Sequence, residues 1–169
     1  DGTLTPVDSL WRYLHNALGT WDRGRVAAQR YWDGEISYRE WAETDAMCWA
    51  GISLRRLGHY LNQIPYRKGA RELFQELRRR RVKTAILSAG LSLLADKAAA
   101  ELHADIVVSN ELQTIDGRLT GKIVVKVSVE EKEQIITDIA KRAGMPLDEV
   151  ALVGDRANDL PEVRCLKIA

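Results

Sequence analysis

Ala151-Leu152-Val153-Gly154-Asp155-Arg156-Ala157-Asn158-Asp159 joins a short apolar run to a glycine and two aspartates. The run reads as a strand over 150–153 buried on both faces, and the polar cluster as the loop leaving its carboxyl end. Just upstream, 130–143 carries Ile135, Ile136, Ile139 and Ala140 at the spacing of one helical face. Further back, Leu112 to Val127 holds Asp116-Gly117 between alternating residues, a β-hairpin signal. A strand over 105–109 precedes it, then a helix over 91–102, then a strand over 82–87 that needs burial on both faces. A helix over 68–81 turns Ala70, Leu73, Phe74 and Leu77 inward. Strands alternating with helices predict an α/β fold with a mostly parallel sheet, whose ligand site belongs at the carboxyl ends of its strands. Leu166 to Ala169 reads as the start of an edge strand.

The character changes at Pro65, and all five tryptophans lie before it. Residues 8–18 form a helix closed by Gly19, with Leu10, Tyr13, Leu14, Ala17 and Leu18 on one stripe. A second helix runs from Trp21 to Asp33. Ser37 followed by Glu40 is a capping box that opens a third over 38–50, and Ser53 caps a fourth reaching Gln63. The spacing predicts a small helical bundle.

Length and composition bound the possibilities. A chain of 169 residues closes one core, or one core with a modest insertion. Lys and Arg total 25 against 24 Asp and Glu, a formal charge of +1. No global field gathers nucleic acid or an anionic membrane, so neither is expected as a partner. Cys48 and Cys165 stand far apart in no metal-type spacing, which fits a reducing compartment, with the cytoplasm as the expectation. No apolar run approaches the roughly 20 residues that span a bilayer. A monomer or homodimer is expected.

Three polar clusters fall at predicted strand ends: Asp1-Gly2-Thr3-Leu4-Thr5, Ser88-Ala89-Gly90, and the Gly154 to Asp159 loop. Phosphoryl transfer needs a nucleophile, an acid for the leaving oxygen, a divalent cation, and donors to the phosphoryl oxygens. The clusters supply all but the nucleophile. Each has a plainer reading: Asp-Gly-Thr as a turn, Gly-Asp-x-x-x-Asp as a strand exit with a helix cap, Ser88 as a helix start, and Lys132 between two glutamates as a solvated face. Their order, spacing and shared strand-end placement argue against coincidence.

The set resembles the haloacid dehalogenase superfamily, whose motifs are Asp-x-Asp-Gly-Thr-Leu/Val-Thr, a strand-terminal Ser or Thr, a Lys, and Gly-Asp-x-x-x-Asp. The helical insertion after the first motif and the Gly-Asp-x-Ala-Asn-Asp pattern resemble its phosphoserine phosphatase branch. The resemblance implies a Rossmann-like core over 1–6 and 65–169 and a helical cap over 7–64. It implies a magnesium-dependent phosphatase that hydrolyses a small phosphomonoester through an aspartyl-phosphate, with phosphoserine the leading substrate. Asp1 then matches the general acid. The nucleophile belongs two positions earlier, so the sequence is expected to lack part of the working protein, and the chain as written to be inactive with its sheet unclosed. Ser88, with Ala89 or Gly90, donates to the phosphoryl group, helped by Gly2 and Thr3. Asp155, Asp159 and the carbonyl of Asp1 serve magnesium, and Asn158 lies beside the substrate. The family lysine best matches Lys132, with Lys126 as the other candidate.

Carried further, the branch places a carboxylate at Asp8 for the substrate ammonium. It puts Asp45 where an arginine for the substrate carboxylate belongs. Like charges repel there, so the alignment slips, another arginine such as Arg39 substitutes, or phosphoserine is not the substrate. Trp11, Trp32, Tyr38, Trp41 and Trp49 could form an ammonium cage with Asp8 and Asp45, although tryptophans at helical spacing usually fill a core. His15, His59 and His103 show no ligand spacing. Rival functions are another amino-alcohol or sugar phosphate, transfer to an acceptor alcohol (a phosphotransferase or mutase), or a non-catalytic binding module.

Overall fold

A computed structural model describes residues 1–155, 159 and 165–168. Four helices come first: α1 (Leu10–Leu18), α2 (Trp21–Trp32), α3 (Tyr38–Cys48) and α4 (Leu54–Leu61). Their limits follow the caps. The Ser9 hydroxyl accepts from the Arg12 amide and Gly19 closes α1 in the left-handed region. Ser37 and Glu40 form the expected capping box, and Ser53 caps α4. Then follow α5 (Ala70–Arg79), β1 (Ala85–Leu91), α6 (Ser92–Leu102), β2 (Ile106–Ile115), β3 (Arg118–Val124), α7 (Lys132–Ala143), β4 (Ala151–Val153) and β5 (Leu166–Ile168).

The fold is α/β. β1 pairs parallel with β2, and β2 turns through Asp116 and Gly117, both at positive φ, into antiparallel β3. β4 and β5 form a separate parallel pair. β1 starts and ends later than its apolar run suggests, because Ser88 to Gly90 is part of the strand: pairing slips between Leu87 and Leu91, and Leu91 then meets Asn110. A bulge of this kind re-aims side chains at a strand end, and here it falls on the polar cluster.

Three burial expectations fail. Leu73 is 46% exposed, Val82, which lies ahead of β1, 47% and Val153 53%. Leu73 stands at the margin of the α5 face centred on Ala70 and Phe74, and among the described residues the hydrogen-bonded neighbour of β4 is β5 alone.

The helices do not enclose a core of their own. Leu10, Trp11, Leu14, Tyr38, Trp49 and Leu57 share one apolar cluster with Leu91, Leu112, Leu119 and Ile123 of the strands. The hairpin is bonded to the α3–α4 connection through Gly51 N to Leu119 O (2.8 Å), Leu119 N to Ile52 O (2.9 Å) and Leu54 N to Gly117 O (2.8 Å). Removing leucines as buried as Leu10 or Leu57 from water contributes about 2 kcal/mol each, which binds the helical group firmly to the strands. No helix among the described residues is long and apolar enough to cross a membrane.

Candidate active site

The three strand-end clusters meet. Gly2, at φ 69°, passes so close to Asp155 that a Cβ there would lie 2.2 Å from Asp155 Oδ2. The Thr3 hydroxyl donates to Asp155 Oδ1 at 2.6 Å. On the other side, a Cβ on Gly90 would stand 2.9 Å from Asp1 Oδ2 and 3.1 Å from Ser88 Oγ, so carboxylate and hydroxyl both reach that point. Asp1, Ser88 and Asp155, far apart in sequence, thus occupy one rim.

Asp1 Oδ2 accepts the Leu10 amide at 2.8 Å. That amide opens α1, where orphan N–H groups and the helix dipole favour an anion. The amides of Gly2 and Thr3 turn into their own loop, donating to Val7 O and Asp1 O at 2.7 Å each. They shape the loop instead of facing outward as the sequence reading expects, because so tight a turn needs both bonds. Arg67 fastens the same loop: its Nε donates to Gly2 O at 2.5 Å and its amide to Leu4 O at 2.8 Å.

Lys132 is buried at the start of α7, and its Nζ lies 2.5 Å from Asp159 Oδ1. Asp159 in turn presses on the glycine exit of β4, where a Cβ on Gly154 would come within 2.4 Å of the Asp159 Cβ. Lys126, the other lysine considered, is paired with exposed Glu111 at 2.8 Å. Asn158 lies outside the described residues.

Asp8 is exposed in the turn before α1. The structure does not bring Asp45 to the rim: it is 1% exposed and faces His15 Nε2 at 3.2 Å inside the helical group. His15 Nδ1 meets the Thr20 hydroxyl at 2.7 Å, and Trp49 Nε1 donates to that hydroxyl at 3.2 Å. An aromatic cage is not formed either. Trp11 and Trp49 are buried and stacked, with ring centres 5.7 Å apart, while Trp32 is 68% exposed. Trp11 and Trp49 are core. Arg39 is exposed.

Two contacts that sequence reading missed join the helices to the rim. The Tyr31 hydroxyl donates to Glu130 Oε1 at 3.1 Å, just ahead of α7; burial, then the glutamate, push this phenol up to about 12. Tyr38 donates to Ala89 O and receives a bond from Asn110 Nδ2 at 2.9 Å. Burial raises its pKa as well, against the lowering effect of Trp11 and Asn110. An asparagine two residues after the apolar run Ile106-Val107-Val108 was the available signal.

The donors at the rim are hard oxygens. Among the described residues no three His, Cys, Asp or Glu side chains cluster as a ready-made metal cage, but magnesium keeps several waters and takes only one or two carboxylates alongside substrate oxygens. Asp155, pressed against a glycine that leaves room for nothing larger, suits that demand.

A family model, haloacid dehalogenase-like hydrolase, matches residues 1–164. The phosphoserine phosphatase of Archaeoglobus fulgidus is 32% identical over 160 residues, covering 94% of this chain and 46% of that protein. The phosphoserine phosphatase of Idiomarina loihiensis is 36% identical over 127 residues, covering 75% of this chain and 58% of that one. The chain thus spans about half the length of these curated relatives. A solved substrate-bound phosphoserine phosphatase complex superposes with a TM-score of 0.79 at 24% identity, over 95% of this chain and 76% of that one, a likeness of fold.

Proposed function

Because the chain belongs to the haloacid dehalogenase-like hydrolase family, we propose that the complete protein is a magnesium-dependent phosphatase of small phosphomonoesters, with phosphoserine as its substrate. The observation that carries this reading is the meeting of Asp1, Ser88 and Asp155 around Gly2 and Gly90. The names of the curated relatives support phosphoserine. Residues 7–64 would act as a cap over a core formed by 1–6 and 65–169.

In this reading Asp1 holds the proton for the leaving alkoxide and later takes one from water. The Leu10 amide fixes its carboxylate for both steps. With the Gly90 amide turned onto Ser88 Oγ, the Ser88 hydroxyl and the Ala89 amide donate to the phosphoryl oxygens, and Lys132 offsets their negative charge. Between the two steps the phosphoryl group would be carried as an aspartyl-phosphate. Asp155, Asp159 and the Asp1 carbonyl would hold magnesium, which when bound neutralises charge on the transferring group. Asp8 would meet the substrate ammonium.

The test is phosphate release by the complete protein from phosphoserine, a panel of small phosphomonoesters and an aryl phosphate, with and without magnesium. Asp155→Asn should abolish magnesium-dependent release while the circular dichroism spectrum is kept; undiminished activity would overturn the metal assignment. Release from other esters but not phosphoserine would overturn the substrate.

A further inference from the structure

Asn110 is fully buried at the point where β2 meets the end of β1. Its side chain is saturated. The two N–H groups of Nδ2 are shared among Ala89 O, Val127 O and the Tyr38 hydroxyl, each at 2.9 Å, while Oδ1 accepts the amides of Lys126 at 2.8 Å and Val127 at 2.9 Å. The Tyr38 hydroxyl donates its own hydrogen bond to Ala89 O, and Trp11 Nε1 approaches the same oxygen at 3.4 Å. Three donors, two from the helical group and one from the core, therefore converge on one carbonyl. Leaving such a buried amide half satisfied would cost about 1–3 kcal/mol per lost partner, so the arrangement fixes a single geometry.

That carbonyl belongs to the peptide joining Ala89 to Gly90. A trans peptide is planar, with C=O and N–H pointing in opposite directions, so holding Ala89 O also aims the Gly90 N–H. The Gly90 amide donates to Ser88 Oγ at 3.0 Å. A hydroxyl that accepts from an amide directs its own proton elsewhere. Hydrogen bonds at one end of a peptide also strengthen the donor at the other.

We infer that Asn110 and Tyr38 are positioning residues that aim the Ser88 hydroxyl across the Ala89–Gly90 peptide, with Tyr38 making that aim depend on how the helical group sits on the core. The inference rests on the reading of Ser88 as a phosphoryl donor. Asn110 extends its hold to Val127, on the segment leading to Lys132, and so sets the spacing between the serine loop and the lysine helix.

The experiment is a double-mutant cycle in the complete protein, with kcat and KM for phosphoserine or the best phosphomonoester found. Tyr38→Phe, which removes one hydroxyl and keeps the ring, lowers kcat about tenfold with KM within about twofold, less than the loss of a whole oxyanion donor. In a Ser88→Ala background the same change lowers kcat less than about twofold, because the group it acts through is gone. Equal losses in both backgrounds, or an unchanged kcat in the single variant, would overturn the inference. A second readout does not depend on turnover. The Gly90 amide resonance shifts in both Tyr38→Phe and Asn110→Asp when the remaining spectrum shows the fold retained; a stationary resonance would overturn the aiming role. Should the unaltered protein release no phosphate from any ester, the functional reading fails, and the Gly90 resonance still decides the relay.

Discussion

His15 Nε2 and Asp45 Oδ1 face each other at 3.2 Å, each 1% exposed, with Thr20 and Trp49 completing a polar thread through an aromatic interior. Asp45 therefore belongs to the architecture of the helices. Burial raises its carboxyl above the ordinary 3.8, with His15 and Trp41 opposing. A carboxyl raised in the folded state contributes stability that is complete below its ordinary value and is lost as pH climbs through the raised one. Asp45→Asn removes that titration. Denaturant midpoints should show the unaltered protein falling relative to the variant as pH rises through the carboxylate range; parallel profiles would refute it. Asp45→Arg should destabilise by about 3 kcal/mol, as breaking a buried pair does, without improving phosphoserine turnover.

The two candidate lysines separate by environment. Lys132 is buried against Asp159, whereas Lys126 bridges to exposed Glu111. In the complete protein Lys132→Met should reduce kcat by about a hundredfold or more, the scale of one lost charge-stabilising donor. Lys126→Ala should leave it within about twofold, as expected of a surface pair. Comparable effects from both would remove Lys132 from the site.

Gly2 answers to two constraints at once. Its φ of 69° disfavours any side chain, and a Cβ would sit 2.2 Å from Asp155 Oδ2. Gly2→Ala should therefore push the Asp155 carboxylate aside. The magnesium concentration for half-maximal activity should rise at least about tenfold, the usual scale for disturbing a group that orients a metal ligand. An unchanged magnesium titration would mean that Asp155 is not held by this contact.

Much of this was legible in the chain. The capping box at Ser37 and Glu40, the Asp116-Gly117 turn and the polar clusters at strand ends each rest on local chemistry, and each reappears in space. What failed depended on tertiary partners. Nothing in the neighbourhood of Asp45 announces that residue 15 waits across the helices. Ser88 to Gly90 looks like a loop because a bulged strand loses its two-residue period. The stripe read for α1 omitted Trp11 and His15, which are buried because the group closes on two sides, against other helices and against the strands. Asn110 gave the faintest signal and has the densest bonding. Asn110 sits between Ser109 and Glu111, where the sequence looks like a polar strand exit, and a buried polar residue has partners that the sequence cannot name.

Arg67 holds both Gly2 and Leu4 by their carbonyls, so the chain leaves for the helices and returns from them through one knot. Everything between is a detour with pinned ends. The entropy of such a detour grows only with the logarithm of its length, about 0.6 kcal/mol for each doubling. Lengthening or trimming the turn at Asp33 and Gly34 is therefore nearly neutral for the rim, whose two chain ends stay tied together at Arg67.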